Sequence, residues 1–195
     1  DGRGVPERII QIENDDSHSL IEEFMLLANE TVAKELRKRK LPGIHRVHPD
    51  PDPENLEELR AFVSLYDLSC GDLTNRKEVT KLLASIQKHP LAQVLRIKFL
   101  RSLKQACYRA TPDGHYGLAK QDYLHFTSPI RRYADLVVHR IVEEILSSGQ
   151  RKRPDTKRLD GIAKHISVTE RNSVDAERES VKTKLVAFYE RELKE

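Results

Sequence analysis

No stretch of this 195-residue sequence approaches the roughly 18 consecutive apolar residues that a membrane-crossing helix needs. The first residues, Asp1-Gly2-Arg3-Gly4, do not lead into the hydrophobic region of a secretory signal. Cysteine is scarce. Cys70 and Cys107 stand far apart and outside any CxxC or Cys/His pattern, so a reduced, cytoplasmic protein with two ordinary thiols is expected. There is no internal repeat and no low-complexity tract, and a membrane is not an expected partner.

Net charge is also small, at +3, and says little about partners until its distribution is considered. Lys34, Arg37, Lys38, Arg39, Lys40 and Arg46 fall in one short stretch with a single acid, Glu35. Arg96, Lys98, Arg101, Lys104 and Arg109 form a second cluster with no acid among them. Both are compatible with a polyanion and equally with solvated helix faces. With 38% hydrophobic and 33% charged residues, the chain fits a mostly helical protein with a heavily solvated surface.

Along the chain, Pro6 to Asn14 carries Ile9, Ile10 and Ile12 and reads as a strand, the second arm of a hairpin whose turn is Asp1 to Gly4. A domain seldom begins inside a turn, so the start reads as a cut end. Asp15, Asp16 or Ser17 caps a helix to about Lys40, with Leu20, Ile21, Phe24, Leu27, Ala28 and Leu36 at helical spacing and Pro42-Gly43 as its stop. After a Pro-rich connection over 45–53, helices are expected over Glu54–Tyr66, Asn75–Lys88 and from Pro90 to about Arg109. Thr111-Pro112-Asp113-Gly114 makes a turn, and the aromatic-rich Tyr116–Phe126 reads as a strand.

Thr127-Ser128-Pro129 has the form of a helix start, a hydroxyl cap followed by proline. The helix it opens buries Tyr133, Leu136, Val137, Ile141, Val142 and Ile145 and ends near Gly149. A basic link, Gln150–Pro154, leads to a last polar helical region of about 40 residues. The expected class is α+β, predominantly α-helical, with a few short strands.

The chemistry concentrates in residues 115–140, HYGLAKQDYLHFTSPIRRYADLVVHR. A helix start offers unpaired N–H groups to an anion. Arg131 and Arg132 in its first turn oppose the helix macrodipole unless an anion lies between them and the helix end. A phosphate diester would supply one, and a guanidinium fork matches its oxygens. The competing reading is that both arginines pair with acids of the protein. Asp135 and His139 share a face with Arg132, which favours an orienting network; two ligands are too few for a metal site.

The run His125-Phe126-Thr127-Ser128-Pro129-Ile130-Arg131-Arg132-Tyr133, with Asp135, His139 and Arg140, resembles the hallmark motif of the RNase II/RNase R (RNB) family of 3′→5′ exoribonucleases. Ser19 to Met25 with Ala28-Asn29, Arg46-Val47-His48, Arg101-Ser102-Leu103, Gln105-Ala106 with Tyr108, and Ala176-Glu177-Arg178 resemble it in the same order, so the likeness spans nearly the whole chain. Ala134 stands where the family commonly has proline or glycine, a harmless change in a helix.

The resemblance implies the C-terminal helical half of an RNB catalytic domain, residues 1–195, from an enzyme hydrolysing single-stranded RNA to nucleoside 5′-monophosphates. It implies that Arg131 is catalytic, contacting the scissile phosphate. Glu22, Ser128, Arg132 and Glu177 are implied RNA-binding residues, supported by His125, Thr127, Tyr133, Asp135 and His139. On their own, Glu22 reads as an ordinary helix-surface acid and Glu177 as a partner for the neighbours of Arg178. Mg²⁺ is the implied cofactor, but the aspartate cluster that holds it lies upstream of everything in this chain, and an S1-type domain is expected downstream. Asp15-Asp16 and the Asp50/Asp52/Glu54 run are not read as a metal site, so this chain alone is expected to be inactive. A non-hydrolytic RNB-like RNA-binding or scaffolding protein is the alternative.

Overall fold

The structure, a computed structural model, describes residues 6–10, 15–147 and 154–193. Among these the class is α+β and predominantly helical, with six helices and one two-stranded sheet. The chain forms two compact units interleaved in sequence: residues 1–46, 107–112 and 120–195, and residues 47–106 and 113–119.

The first unit opens with α1 (Asp16–Lys38). Asp15 is its N-cap, accepting from the His18 backbone N–H at 3.0 Å and the Ser17 hydroxyl at 2.7 Å. The hydroxyl and then that N–H pull the Asp15 carboxyl down to about 2. At the other end Leu41 N–H reaches Leu36 C=O and Lys40 N–H reaches Arg37 C=O, with Lys40 left-handed at φ 53°. That double closure ends the helix before Pro42. Ala33 and Leu36 are buried, whereas Leu20, Ile21, Phe24 and Leu27 are all more than half exposed.

Strands β1 (His45–Val47) and β2 (Cys107–Arg109) form the sheet. Helices α5 (Tyr133–Ser147) and α6 (Thr156–Glu192) are numbered after the three of the second unit. The core of the first unit gathers Ala33, Leu36, Ile44, Leu124, Val138, Ile141 and Ala163 with neighbours from β2. In the second unit, α2 (Pro53–Ser64) and α3 (Arg76–Gln87) both pack on α4 (Ala92–Ser102), around Leu59, Val63, Leu82, Ile86 and Leu95.

Four local expectations are corrected. Residues 6–10 form no strand, and residues 1–5 and 11–14, with the expected turn, lie outside the described residues, as does 148–153. The fourth helix stops at Ser102, and Cys107–Arg109 pairs as β2 because Tyr108 is needed in the core. Tyr116–Phe126 is not a strand: it contributes turns and isolated bridges, such as His45 to Leu124, while His48 bridges to His115 just before it. Finally, α5 begins at Tyr133 rather than behind Thr127-Ser128-Pro129, and Tyr133 is half exposed instead of buried.

Candidate functional site

Residues 123–128 form no helix or strand, and several of their backbone groups bond to side chains. Asn29, buried in α1, accepts the Phe126 N–H at 2.9 Å and donates to the Tyr123 hydroxyl at 3.1 Å. His139 Nε2 donates to the Phe126 carbonyl at 2.8 Å, and the two rings stack 4.0 Å apart. Phe126 is therefore fixed through both its N–H and its carbonyl. Asp135 then takes the Ser128 N–H at 2.8 Å.

Residues 128–132 form a turn, in which the Ser128 carbonyl accepts from both Arg131 and Arg132 N–H, at 3.3 and 3.1 Å. Arg132 occupies the cap position of α5, its carbonyl accepting from Leu136 N–H. The arginines thus precede the helix instead of lying in its first turn. Arg132 Nη2 donates to Asp135 Oδ1 at 2.8 Å and makes a longer 3.5 Å contact to the Thr127 hydroxyl. An acid in the first turn of α5 offsets the cation at its cap, so for Arg132 the required anion is internal. His139 stands outside this ion pair and anchors the preceding segment.

The turn faces α6 across a cleft of about 400 Å³, lined by Arg131, Arg132, Tyr133, Tyr108, Glu170 and Glu177 among others. Its floor is built by β2. Tyr108 N–H donates to Ser167 Oγ at 2.8 Å, and Ser167 donates in turn to the Ala163 carbonyl. The Tyr108 hydroxyl meets His125 Nδ1 at 2.9 Å. Burial pushes the Tyr108 phenol up to about 12, against the opposing pull of Arg46. The Arg46 guanidinium lies 4.7 Å over the Tyr108 ring and pairs with Glu170 at 2.6 Å.

These pairings sort the cleft's charges. Arg132 is matched by Asp135, and Glu170 by Arg46. Among the described residues no ion pair joins Arg131 or Glu177, which leaves one cation and one carboxylate for a ligand. An unmatched guanidinium suits a phosphate and an unmatched carboxylate suits hydroxyl donors.

Of the residues singled out from sequence, the cleft unites Arg131, Arg132, Tyr133 and Glu177. Thr127, Ser128, Asp135, His125 and His139 do not line it; His125 meets the Tyr108 hydroxyl, Asp135 bonds Ser128 and Arg132, and His139 bonds the Phe126 carbonyl. Glu22 is exposed on α1 and does not line the cleft. Ser167 and Glu170 were not singled out from sequence, and Asn29, Arg46 and Tyr108 were noted there only for their resemblance or charge; all five act through contacts remote in sequence. The first basic cluster is largely spoken for, with Lys34 on Glu30, Arg37 on Asp122, Arg39 on Glu35 and Arg46 on Glu170. In the second, Lys98 and Lys104 pair with Glu58 and Asp52. Internal pairing explains most of this basic charge without a polyanion. No group of three or more His, Cys, Asp or Glu able to hold a metal occurs among the described residues.

Comparison with known proteins matches residues 1–148 to the RNB domain. Ribonuclease R 1 of Lactococcus lactis is 38% identical over 197 residues, covering 96% of this chain and 24% of its own length. The structure of Mycoplasma genitalium RNase R in complex with ribose methylated single-stranded RNA superposes with a TM-score of 0.89 at 29% identity, covering 96% of this chain and 31% of that one. Yeast Ssd1, a pseudonuclease, shares the fold at a TM-score of 0.67 and 24% identity over 76% of this chain and 19% of its own.

Proposed function

This chain belongs to the RNB domain family, and from that premise we propose that it is part of a 3′→5′ exoribonuclease that hydrolyses single-stranded RNA to nucleoside 5′-monophosphates. The chain spans 24% of the Lactococcus lactis relative, so the activity is that of a longer protein. The observation that carries the reading is the cleft in which Arg131 has no acid partner among the described residues while the neighbouring Arg132 and Glu170 are neutralised internally.

In this reading Arg131 contacts the scissile phosphate and offsets the charge that builds on its oxygens in the transition state. Arg132, held by Asp135, adds a second, weaker positive edge along the RNA backbone. Glu177 accepts from ribose hydroxyls of the 3′-terminal nucleotide. Ser128 and Glu22 belong to the RNA path beyond the cleft. Mg²⁺ is the proposed metal; the described residues hold no group of three or more His, Cys, Asp or Glu that fits it, and its ligands are proposed to lie outside them. A cytoplasmic location is part of the same proposal.

The test uses the full-length protein, a labelled single-stranded RNA and Mg²⁺. Arg131→Ala is expected to slow single-turnover release of monophosphates on the order of 10²–10³-fold and to weaken RNA binding far less. Arg131→Lys recovers only part, because an ammonium lacks the planar fork. A large rise in the RNA dissociation constant with unchanged cleavage would make Arg131 a positioning group instead. The second reading is a non-hydrolytic RNB-like RNA-binding or scaffolding protein. It predicts RNA binding without release of monophosphates.

A further inference from the structure

We propose that Asp135 is the positioning residue of the Arg131 site, acting through the Ser128–Arg132 turn and never touching the substrate itself. The inference rests on the exoribonuclease reading for its role in turnover, and on geometry for the device.

Asp135 is fully buried, with an exposure of 0%, and sits in the first turn of α5. One oxygen, Oδ1, accepts from Ser128 N–H and from Arg132 Nη2, both at 2.8 Å. Ser128 and Arg132 are the two ends of the turn, and the Ser128 carbonyl closes it by accepting from Arg131 and Arg132 N–H. A single carboxylate therefore ties the Ser128 backbone and the Arg132 side chain to α5. Between those ends Ile130 is wholly exposed and Arg131 lines the cleft. Nothing else among the described residues holds the Arg131 side chain, so its place is set by the backbone that carries it.

The second carboxylate oxygen, Oδ2, and Arg132 Nε are buried without protein partners. A stability-optimised ion pair would use both. The arrangement instead commits its bonded oxygen to the turn, which points to geometry at Arg131 as what the pair maintains. Two neighbours share the work on the adjoining segment, since Asn29 and His139 fix Phe126. Among the described residues, Asp135 is the side chain that bonds the backbone of the turn itself.

A double-substitution cycle in the full-length protein tests this. Single-turnover cleavage of a labelled single-stranded RNA, the RNA dissociation constant and the unfolding midpoint are measured for wild type, Asp135→Ala, Asp135→Asn, Arg131→Ala and the two double variants. Displacement of a reacting group by about 1 Å costs on the order of 10²-fold in rate, so a loss near that size is expected for Asp135→Ala, with binding changed far less. Asp135→Asn keeps an oxygen for the Ser128 N–H and recovers part of the rate. In the Arg131→Ala background either Asp135 substitution should cost little more, because residues acting through one another are not additive. Equal fold-losses in both backgrounds would overturn the proposal and leave Asp135 a structural residue. If Asp135→Ala does not fold, Asp135→Asn carries the same cycle. If the full-length protein does not hydrolyse RNA, the exoribonuclease reading is what falls. The cycle is then read in the dissociation constant, where coupling supports positioning and additivity overturns it.

Discussion

Asp135 and Ser128 are seven residues apart in sequence, and the carboxylate of one accepts the backbone N–H of the other at 2.8 Å. That bond holds Ser128 to the first turn of α5 across the turn that the Ser128 carbonyl closes by accepting from Arg131 and Arg132 N–H. The Thr-Ser-Pro segment, which has the form of a helix start, leads into this separate turn, and α5 begins at Tyr133.

The chain by itself is predicted to release no nucleoside monophosphates from single-stranded RNA in the presence of Mg²⁺. The described residues contain no cluster able to bind a metal, although they contain the arginine cleft. The check is a labelled-RNA assay on purified protein, with Arg131→Ala as control. Turnover that is lost with Arg131→Ala would place a complete active site within these residues.

Tyr108 sets an alkaline limit on stability. Its phenol is raised to about 12 in the fold by burial, whereas an unfolded phenol titrates near its ordinary value of about 10. The unfolded chain therefore loses this proton first as pH rises. The contribution is fully present below pH about 10 and disappears as pH climbs towards about 12, amounting to roughly 2–3 kcal/mol. Unfolding curves across that range should fall more steeply for the native sequence than for Tyr108→Phe. Parallel curves would mean that Tyr108 does not carry the shift.

Asn29 is predicted to matter more than its polar character implies. Asn29→Ala removes the acceptor for Phe126 N–H and the donor to the Tyr123 hydroxyl, and losing partners for buried groups costs roughly 1–3 kcal/mol. A lowered unfolding midpoint in denaturant, with an unchanged slope, is the expected result.

Two apolar substitutions should separate sharply. Leu124 is completely buried in the first unit, and Leu124→Ala is expected to destabilise by about 2–5 kcal/mol. Phe24 on α1 is 60% exposed, so Phe24→Ala is expected to change stability by no more than about 0.5 kcal/mol. Leu20, Ile21, Phe24 and Leu27 together are also predicted to drive self-association of the isolated chain. Sedimentation across a wide concentration range checks this, and Phe24→Ala should weaken any association it reveals.

The sequence by itself determined what local physics can set. Asp15 and Asn75 cap α1 and α3 through their own side chains, Pro53 opens α2, and the apolar spacing within each helix marks its extent. The arginine motif was legible as a contiguous run, as was the pairing of Arg132 with Asp135, whereas His139 bonds the Phe126 carbonyl outside that pair. Tertiary structure decided the rest, because it depends on groups far apart in the chain. Cys107–Arg109 left the predicted helix for a strand because β1 and Ser167 supply partners that no local window contains. Periodicity marked Leu20 and Phe24 as one face of α1 but could not say whether anything covers it. Arg131 and Glu177 line one cleft because α6 packs beside the turn. The i,i+3 spacing offered Asp135 to Arg132, but that no acid of the described residues pairs with Arg131 was not visible in the sequence. Only the fold, by burying Asp135 against one arginine, makes the two different.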